Sequence, residues 1–492
     1  MCADALHPSP ARLSIGVGVM VVVFLLSAAN AAAVAFPIAH SANGRYLVDR
    51  EEEPFPILGR TAWFVLSLES SQIEHFVADT QARGFNTIEL YAMTHDVRGN
   101  NAPRNGAGEL PFLKQLDGAS WNGSLDYREI AEQAPDFTSP NEAYWQAVDS
   151  LLAICEKRGI LVLLFPSYVG FAGGAEGWMQ EMVANGPSRM RAYGRWIASR
   201  YRSQPNIVWM AGGDLGTPPR DFTDEQTEVH AAMLAGMKSI TEQQSVHFSA
   251  EWTSQSIATD QADFGSAMTL NGVYSWSGRI ASLARRAYEQ TPTRPVFLLE
   301  GPYDEEGPDG NNTNPSAAQP VRRFQWWGWL SSIGGYVTGN AYVWLFRSPW
   351  TAHLDTRGAR DMAVLNEFVG SIAWYELVPS GLDGMRRLVT SEGSEPDAAN
   401  FVSAAATRDG TLLVAYVPPG HRGTFVVDLG AMAAPLRVRW LDPTTGAYTA
   451  DDTKASDSSV RRFATPGPNA RGDMDWALVV DTAGAPASRS LD

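Results

Sequence analysis

Two short apolar runs decide the fold: Asn206-Ile-Val-Trp-Met-Ala-Gly-Gly-Asp214 and Pro295-Val-Phe-Leu-Leu-Glu300-Gly. An apolar run of this length, bounded by Gly or Pro, is typical of a buried parallel strand. Each run ends in a carboxylate, Asp214 in the first and Glu300 in the second. In a closed parallel barrel, side chains at the carboxyl ends of the strands point into the mouth where chemistry takes place. The two runs therefore predict two acidic side chains facing one cleft.

The rest of the chain supplies the other strands of such a barrel. Apolar runs alternate with amphipathic helical stretches, which is the pattern of repeated β-α units. The predicted strands are Ile57 to Trp63, Asn86 to Tyr91, Ile160 to Pro166, Asn206 to Ala211, Val246 to Glu251, Leu270 to Tyr274, Pro295 to Glu300, and Tyr336 to Trp344. Eight strands close a (β/α)8 TIM barrel, so we predict an α/β fold of this class.

Past Pro379 the pattern changes to alternating segments separated by Gly, Pro, Asp and Ser turns, which predicts a small antiparallel β-sandwich-like domain. We therefore expect a barrel over residues 36–379, an all-β accessory domain over 380–482 and a disordered tail over 483–492. The predicted strands of the accessory domain are Thr411 to Pro418, Thr424 to Leu429, Leu436 to Trp440 and Trp476 to Val480. Trp374 and Leu377-Val-Pro379 have the character of an apolar hinge, so we expect this domain to brace the barrel.

The N-terminal segment predicts export. Arg12 precedes an uncharged apolar stretch from Ile15 to Phe36 that ends in small residues. This is the pattern of a secretory signal, which we assign to residues 1–35. A membrane anchor is the alternative, because the stretch is long enough to span a bilayer. Asn30 and the neighbouring alanines favour cleavage, so we expect a periplasmic, cell-surface or extracellular protein without stable membrane insertion.

Charge and composition exclude several classes of partner. The chain carries 38 basic and 54 acidic residues, a net charge of −16, which argues against nucleic acid as a partner. Signal cleavage would leave Cys155 alone, so we expect no intramolecular disulfide. We find no metal-binding spacing of His and Cys and no nucleotide fingerprint, so we expect neither metal nor cofactor. The oligomeric state is left open.

Paired carboxylates in a cleft indicate glycoside hydrolysis. One carboxylic acid protonates the leaving oxygen while a second carboxylate faces the anomeric carbon; a separation of about 5 Å retains configuration and a larger one inverts it. The simpler interpretations are that Asp214 caps the turn after Gly212-Gly213 and that Glu300 forms a salt bridge. Their matching positions at two strand ends favour the catalytic interpretation. Glu89 and Glu251 are support residues if they point inward, which strand alternation leaves open.

Aromatic side chains usually form the walls of sugar subsites, because sugar faces are apolar while their rims need hydrogen bonds. For each aromatic residue alone, core packing is the simpler interpretation. The candidate substrate-binding residues at or near strand ends are Trp63, Tyr91, Trp252, Tyr274, Trp276, Tyr303 and Trp344. His95, beside Asp96, is a further candidate for binding sugar hydroxyls or orienting the acid, with a solvated loop pair as the alternative.

A series of motifs extends over nearly all of the chain after residue 35. In order they are Gly59-Arg-Thr-Ala-Trp63, Gly84-Phe-Asn-Thr-Ile88, Tyr144-Trp145, Tyr193-Gly-Arg-Trp196, Pro205 to Asp214, Leu299-Glu-Gly-Pro-Tyr303, Gly339-Asn340 and Gly358-Ala359. This series resembles the apiosidase-like glycoside hydrolases of family 140. Leu441-Asp-Pro443, Gly446 and Asp475-Trp476 resemble the module named a collagen-binding domain.

The resemblance implies a (β/α)8 barrel that hydrolyses a side chain of a plant-type polysaccharide, with apiose as one leaving sugar. It places the catalytic pair on Asp214 and Glu300. Analogy with related barrels implies that Asp214 is the acid/base and Glu300 the nucleophile of a retaining enzyme. Arg60 stands where the family pattern Gly-Asp-Thr-Ala-Trp has an acidic residue, so we expect a charge reversal near the barrel mouth to change which sugar is accepted.

Two other function classes remain open. The first is a non-catalytic protein that binds carbohydrate or collagen on a barrel scaffold, against which the presence of both Asp214 and Glu300 argues. The second is a polysaccharide lyase, because acidic and tyrosine side chains alone suffice for that chemistry.

Overall fold

The computed structural model describes residues 34–96, 98, 101–125, 131–174, 176–216, 221–241, 246–276, 278–306, 318–450 and 459–482. The predicted tail and all but the last two residues of the predicted signal lie outside the described residues. In the part of the chain that is described, no helix is long and apolar enough to cross a membrane.

Eight parallel strands form the barrel, after a small antiparallel sheet of β1 (Ala39–His40), β2 (Leu47–Val48) and β3 (Pro54–Phe55). The barrel strands are β4 (Ile57–Thr61), β5 (Thr87–Tyr91), β6 (Leu161–Phe165), β7 (Ile207–Gly216), β8 (His247–Thr253), β10 (Asn271–Tyr274), β11 (Val296–Glu300) and β12 (Ile333–Thr338). The short β9 (Ser256–Ile257) pairs antiparallel with β10.

The ring of strands closes on itself. Ladders run in parallel from β4 through β8 and from β10 through β12, and β12 returns to pair with β4. At the seam between β8 and β10, the amide of Leu270 donates to the carbonyl of Phe248 at 3.0 Å and the amide of Gly272 donates to Oγ of Ser249 at 3.2 Å. The predicted TIM barrel is confirmed.

Within the described ranges, seven α-helices connect the barrel strands or follow the last of them. They are α1 (Ser70–Ala82), α2 (Glu142–Lys157), α3 (Met179–Arg200), α4 (Asp224–Thr241), α5 (Ile280–Tyr288), α6 (Ala318–Ser332) and α7 (Arg357–Gly370). Helix α2 shows how they pack, since Tyr144, Val148 and Leu152 form one fully buried face. Cys155 extends that face as a small buried side chain, and burial raises the pKa of its thiol.

The last barrel strand differs from its predicted bounds of Tyr336 to Trp344. The strand starts at Ile333 and ends at Thr338, because Asn340 turns the chain immediately afterwards. Its side-chain Oδ1 accepts from the amides of Tyr342 at 2.9 Å and Val343 at 3.3 Å. An asparagine that bonds the backbone ahead of it competes with the sheet ladder, so the chain leaves the barrel there.

The C-terminal domain is all-β, as predicted. Its strands are β13 (Leu377–Pro379), β14 (Ser403–Thr407), β15 (Leu412–Val417), β16 (Thr424–Asp428), β17 (Leu436–Leu441), β18 (Tyr448–Ala450), β19 (Val460–Ala464) and β20 (Trp476–Thr482). Six of them form an antiparallel sheet in the order β13-β14-β15-β20-β17-β18, and β16 pairs with β19. Side chains of both sheets, such as Phe425 and Trp440, share one core.

Helix α6 joins the barrel to the C-terminal sheet. Trp326 of α6 stacks on Tyr416 of β15 with ring centroids 5.3 Å apart. Arg322, fully buried on the same helix, donates to both carboxylate oxygens of Asp475 at 2.8 Å and pairs with Asp361 of α7. Tyr416 also donates to Asp475 at 2.6 Å. Barrel and accessory domain thus share an apolar interface with a buried ion cluster inside it.

Candidate active site

The end of β7 is built so that Asp214 projects from a tight backbone turn. Gly212, Gly213 and Asp214 all have positive φ, at 77°, 115° and 39°. A Cβ at Gly212 would lie 2.1 Å from the carbonyl oxygen of Glu251, and a Cβ at Gly213 would lie 2.0 Å from the ring of Tyr168. Only glycine fits at these two positions, so the Gly-Gly sequence sets the direction of the carboxylate that follows.

Three further carboxyl groups lie around this turn, on three different strands. They are Glu89 on β5, Glu251 on β8 and Glu300 at the end of β11. Burial raises the pKa of Asp214 to about 6. Burial, followed by the negative charge of Asp214, raises the pKa of Glu300 to about 8. Burial also raises the pKa of Glu89 and of Glu251 well above the usual range.

Tyrosine hydroxyls hold both of the predicted catalytic carboxylates. Tyr274, at the end of β10, donates to Oδ1 of Asp214 at 2.7 Å. Tyr303, just after β11, donates to Oε1 of Glu300 and accepts from Nε1 of Trp63 at 2.8 Å. These bonds oppose the effect of burial, since each stabilises the ionised carboxylate.

Asp214 and Glu300 open into one cavity of about 330 Å³, a volume within the range of small-molecule sites. Aromatic rings form much of its wall, and Trp63 stacks on Tyr91 with centroids 4.7 Å apart. The lining residues are Trp63, Phe64, Tyr91, Asp96, Arg98, Tyr168, Phe171, Glu176, Asp214, Glu251, Trp276, Glu300, Tyr303, Glu306 and Trp344. Seven of the ten site residues named from the sequence are among them.

The other three candidates lie outside the lining. Tyr274 stands behind Asp214, to which it donates. Trp252 is buried, with its Nε1 donating to the carbonyl of Ala258 at 2.8 Å. His95 is buried with its Nε2 2.5 Å from Oε1 of Glu181.

Arg60 is not a lining residue of the cavity. Its guanidinium lies on the helix side of β4, where it pairs with Asp79 of α1 at 2.7 Å and stands over the ring of Phe76 at 4.8 Å. The positive charge of Arg60 is therefore neutralised by Asp79. The position of Arg60 does not support the expected effect on which sugar is accepted.

Sequence reasoning missed several lining residues. Tyr168 follows β6 in the same way that the other site residues follow their strands. Its position after a barrel strand was therefore sufficient to predict it as a site residue. Arg98, Glu176 and Glu306 come from loops, where no periodicity marks a side chain. Phe171 is the most solvent-accessible aromatic residue of the lining, at 47% exposure, and loop geometry alone places it there. Within the described residues, no three His, Cys, Asp or Glu side chains are arranged to hold a metal ion.

Comparison with known families places this site in context. The family model described as "Apiosidase-like, catalytic domain" matches residues 41–376, which contain the whole barrel and every lining residue. The chain belongs to the apiosidase-like family. It is therefore a glycoside hydrolase. A second model, named for a collagen-binding domain of a collagenase, matches residues 392–481 of this apiosidase-like protein.

Solved structures share the fold of the apiosidase-like chain at low sequence identity. One, titled "Glycoside hydrolase", is 18% identical, with a TM-score of 0.71 over 92% of this chain and 98% of that one. A glycoside hydrolase family 5 protein from Bacteroides vulgatus is 18% identical, with a TM-score of 0.70 over 91% of this chain and 95% of that one. No curated protein matches the chain.

Proposed function

We propose that the protein is an exported, retaining glycoside hydrolase that cleaves a glycosidic bond in an extracellular polysaccharide or oligosaccharide. Asp214 is its acid/base and Glu300 its nucleophile. The observation that carries the proposal is that these two carboxyl groups, from opposite parts of an apiosidase-like barrel, open into the same aromatic-walled cavity. Export is supported by the N-terminal sequence pattern.

The reaction proceeds in two balanced steps. First, the carboxylic acid of Asp214 gives its proton to the glycosidic oxygen as the bond to the anomeric carbon breaks, while the carboxylate of Glu300 forms an ester with that carbon. Then Asp214, now a carboxylate, takes a proton from water as the oxygen of water attacks the anomeric carbon. The ester breaks, the sugar leaves with its original configuration, and both groups return to their starting state.

The electrostatics of the site give the pair one proton to share. The order of the two pKa values, about 6 for Asp214 and about 8 for Glu300, places that proton mainly on Glu300 in the free enzyme, so the reactive form, with the proton on Asp214, is the minor species. The charge of Asp214 is the largest cause, after burial, of the raised pKa of Glu300, so the ionisation of one carboxyl group opposes that of the other. The pair therefore holds one proton between about pH 6 and about pH 8. One proton on two carboxyl groups is what the first step requires.

The walls of the cavity support a sugar as the bound group. Trp63, Trp276 and Trp344 provide flat apolar faces, and the carboxylates between them accept hydrogen bonds from hydroxyl groups. The family name makes apiose the first leaving sugar to test.

A screen of the purified protein against plant and bacterial polysaccharides, with released sugars measured, tests the proposal. Asp214→Asn and Glu300→Gln remove the chemistry at almost constant volume, and Glu74→Gln, exposed on α1, is the matched control. We expect release by the parent and by the control, and a loss of at least about a thousandfold in the two site variants. Equal release by all four proteins would overturn the assignment. Retention of a polymer without release would favour a binding protein, and an unsaturated product would favour a lyase.

A further inference from the structure

Glu251 interacts with both members of the proposed catalytic pair. It lies in β8 and is 1% exposed. Its Oε1 accepts a hydrogen bond from the backbone amide of Asp214 at 2.6 Å. Its side chain also forms a hydrogen bond with that of Glu300.

The bond to Asp214 holds a backbone in an uncommon conformation. Asp214 has φ of 39°, a conformation that non-glycine residues adopt rarely and only where the surroundings hold them. The preceding Gly213 has φ of 115°, and the regular pairing of β7 with β8 is interrupted between Gly212 and Gly216. The Glu251 side chain reaches across from the neighbouring strand and fixes the amide of Asp214, and thereby the direction of its carboxyl group.

The contact with Glu300 requires a proton. Two ionised carboxylates offer only acceptors, so they bond to each other only when one of them is protonated. Oε2 of Glu251 is buried and receives no hydrogen bond from the described residues. The ionisable groups that act most strongly on Glu251 are the acids Glu89, Asp214 and Glu300, and the tyrosines Tyr91, Tyr168 and Tyr274 also interact with it. A negative charge on Glu251 would meet negative surroundings, and a proton on it removes that repulsion.

We propose that Glu251 is a positioning residue that stays protonated in the active enzyme, holding the backbone of Asp214 through Oε1 and donating a hydrogen bond to the carboxylate of Glu300. Its proton does not leave during the reaction. It stabilises Glu300 as the anion that attacks the anomeric carbon, and it keeps the proton donor Asp214 aimed at the leaving oxygen.

The inference rests on the proposed function, but the two fail in different ways. If Asp214 and Glu300 are not the catalytic pair, Asp214→Asn and Glu300→Gln remain active whatever happens at position 251. If only the role of Glu251 is wrong, those two variants are inactive while the position-251 variants behave as described below.

Two substitutions separate positioning from packing. Glu251→Gln keeps an oxygen for the amide of Asp214 and an N–H for Glu300, and it cannot ionise. Glu251→Met has similar volume and offers neither bond. The measurements are kcat and KM on a substrate found in the screen, the pH profile of kcat/KM, and the melting temperature.

We expect Glu251→Gln to keep kcat within about threefold of the parent, because it reproduces both bonds. Glu251→Met should lose kcat by about 10- to 100-fold with little change in KM, the size expected for losing a hydrogen bond to a charged group. The alkaline limb of its pH profile should move upward by about one unit, because Glu300 loses a donor that lowers its pKa.

Inactivity of folded Glu251→Gln would overturn the proposal, because it would show that the enzyme needs a negative charge on Glu251. Equal activity of the Met variant and the parent would also overturn it. If Glu251→Met does not fold, Glu251→Gln alone tests the proposal. Near-parental activity with an unchanged alkaline limb of the pH profile would support the proposal, and loss of activity would overturn it.

Discussion

The indole Nε1 of Trp63 donates a hydrogen bond to the hydroxyl oxygen of Tyr303 at 2.8 Å. An indole N–H can only donate, so the hydroxyl of Tyr303 must direct its own proton elsewhere. That proton points to Oε1 of Glu300. Trp63 therefore does more than offer a wall for a sugar, because it fixes the direction of the hydrogen bond that stabilises the anion of the proposed nucleophile.

Replacing Tyr303 with Phe should destabilise the carboxylate form of Glu300. The hydrogen bond from Tyr303 lowers the pKa of Glu300, which burial raises to about 8, so its loss raises this pKa further. The ionised form becomes rarer at neutral pH, and kcat/KM should fall by roughly 10-fold or more. A pH profile checks this, with the alkaline limb moving to higher pH. An unmoved limb would show that Tyr303 serves packing alone.

Replacing Tyr274 with Phe should move the acid limb of the pH profile of kcat/KM. Tyr274 donates to Asp214 and lowers its pKa, which burial raises to about 6. Without the donor the protonated form of Asp214 persists to higher pH, so the acid limb of kcat/KM should move upward by up to about one unit. The alkaline limb should stay in place, which distinguishes this variant from the one at Tyr303. A shift of both limbs together would contradict separate roles for the two tyrosines.

Glu89 should make the stability of the protein depend on pH. It is fully buried, and neither carboxylate oxygen has a hydrogen-bond partner among the described residues. Its pKa is raised in the folded state, so it is protonated there while the unfolded chain ionises above about pH 4.3. The contribution of Glu89 to the free energy of unfolding is therefore complete below that pH. It falls by about 1.4 kcal/mol per pH unit as the pH rises, until the pKa of Glu89 in the folded state is reached.

Glu89→Gln does not titrate, so the stability difference between variant and parent should shift in favour of the variant from pH 5 to pH 8. Urea unfolding at both pH values measures this difference, in which contributions from groups that do not interact with Glu89 cancel. A difference independent of pH would show that Glu89 ionises equally in both states.

Arg322→Met should destabilise the protein by about 3–5 kcal/mol, because it leaves the buried Asp475 without its cation and Asp361 with only the more distant Arg471, 3.8 Å away. Arg386→Ala is the control, since its pair with Asp428 is largely exposed and should contribute less than about 1 kcal/mol. Guanidinium unfolding compares the two. Equal small losses would argue against the accessory domain as a brace for the barrel.

The sequence is sufficient to predict the barrel because its strands are short apolar runs that differ sharply from the helices between them. It also places Asp214 and Glu300 in one cleft, since both follow parallel strands. The direction of Glu251 was not predictable, because β8 is buried on both faces and alternation has no polar side to mark.

Other features depend on contacts between distant residues. Arg60 is oriented by Asp79 on α1, and a residue pair nineteen positions apart leaves no periodic signal. The loop residues Arg98 and Glu176 meet at the cavity rim at 2.9 Å, although they lie on connections after different strands. Such pairs are set by tertiary structure, which local sequence patterns do not encode.

The most direct test of the account is intact-protein mass spectrometry of Asp214→Ala mixed with a dinitrophenyl glycoside of the sugar that the screen identifies. This leaving group needs no proton, so the first step proceeds, while the second step lacks its base and stalls. We expect a glycosyl ester to accumulate on Glu300, to be located there by peptide mapping, and to be released faster by added azide. A product of inverted configuration without an adduct, or an adduct on another residue, would contradict it.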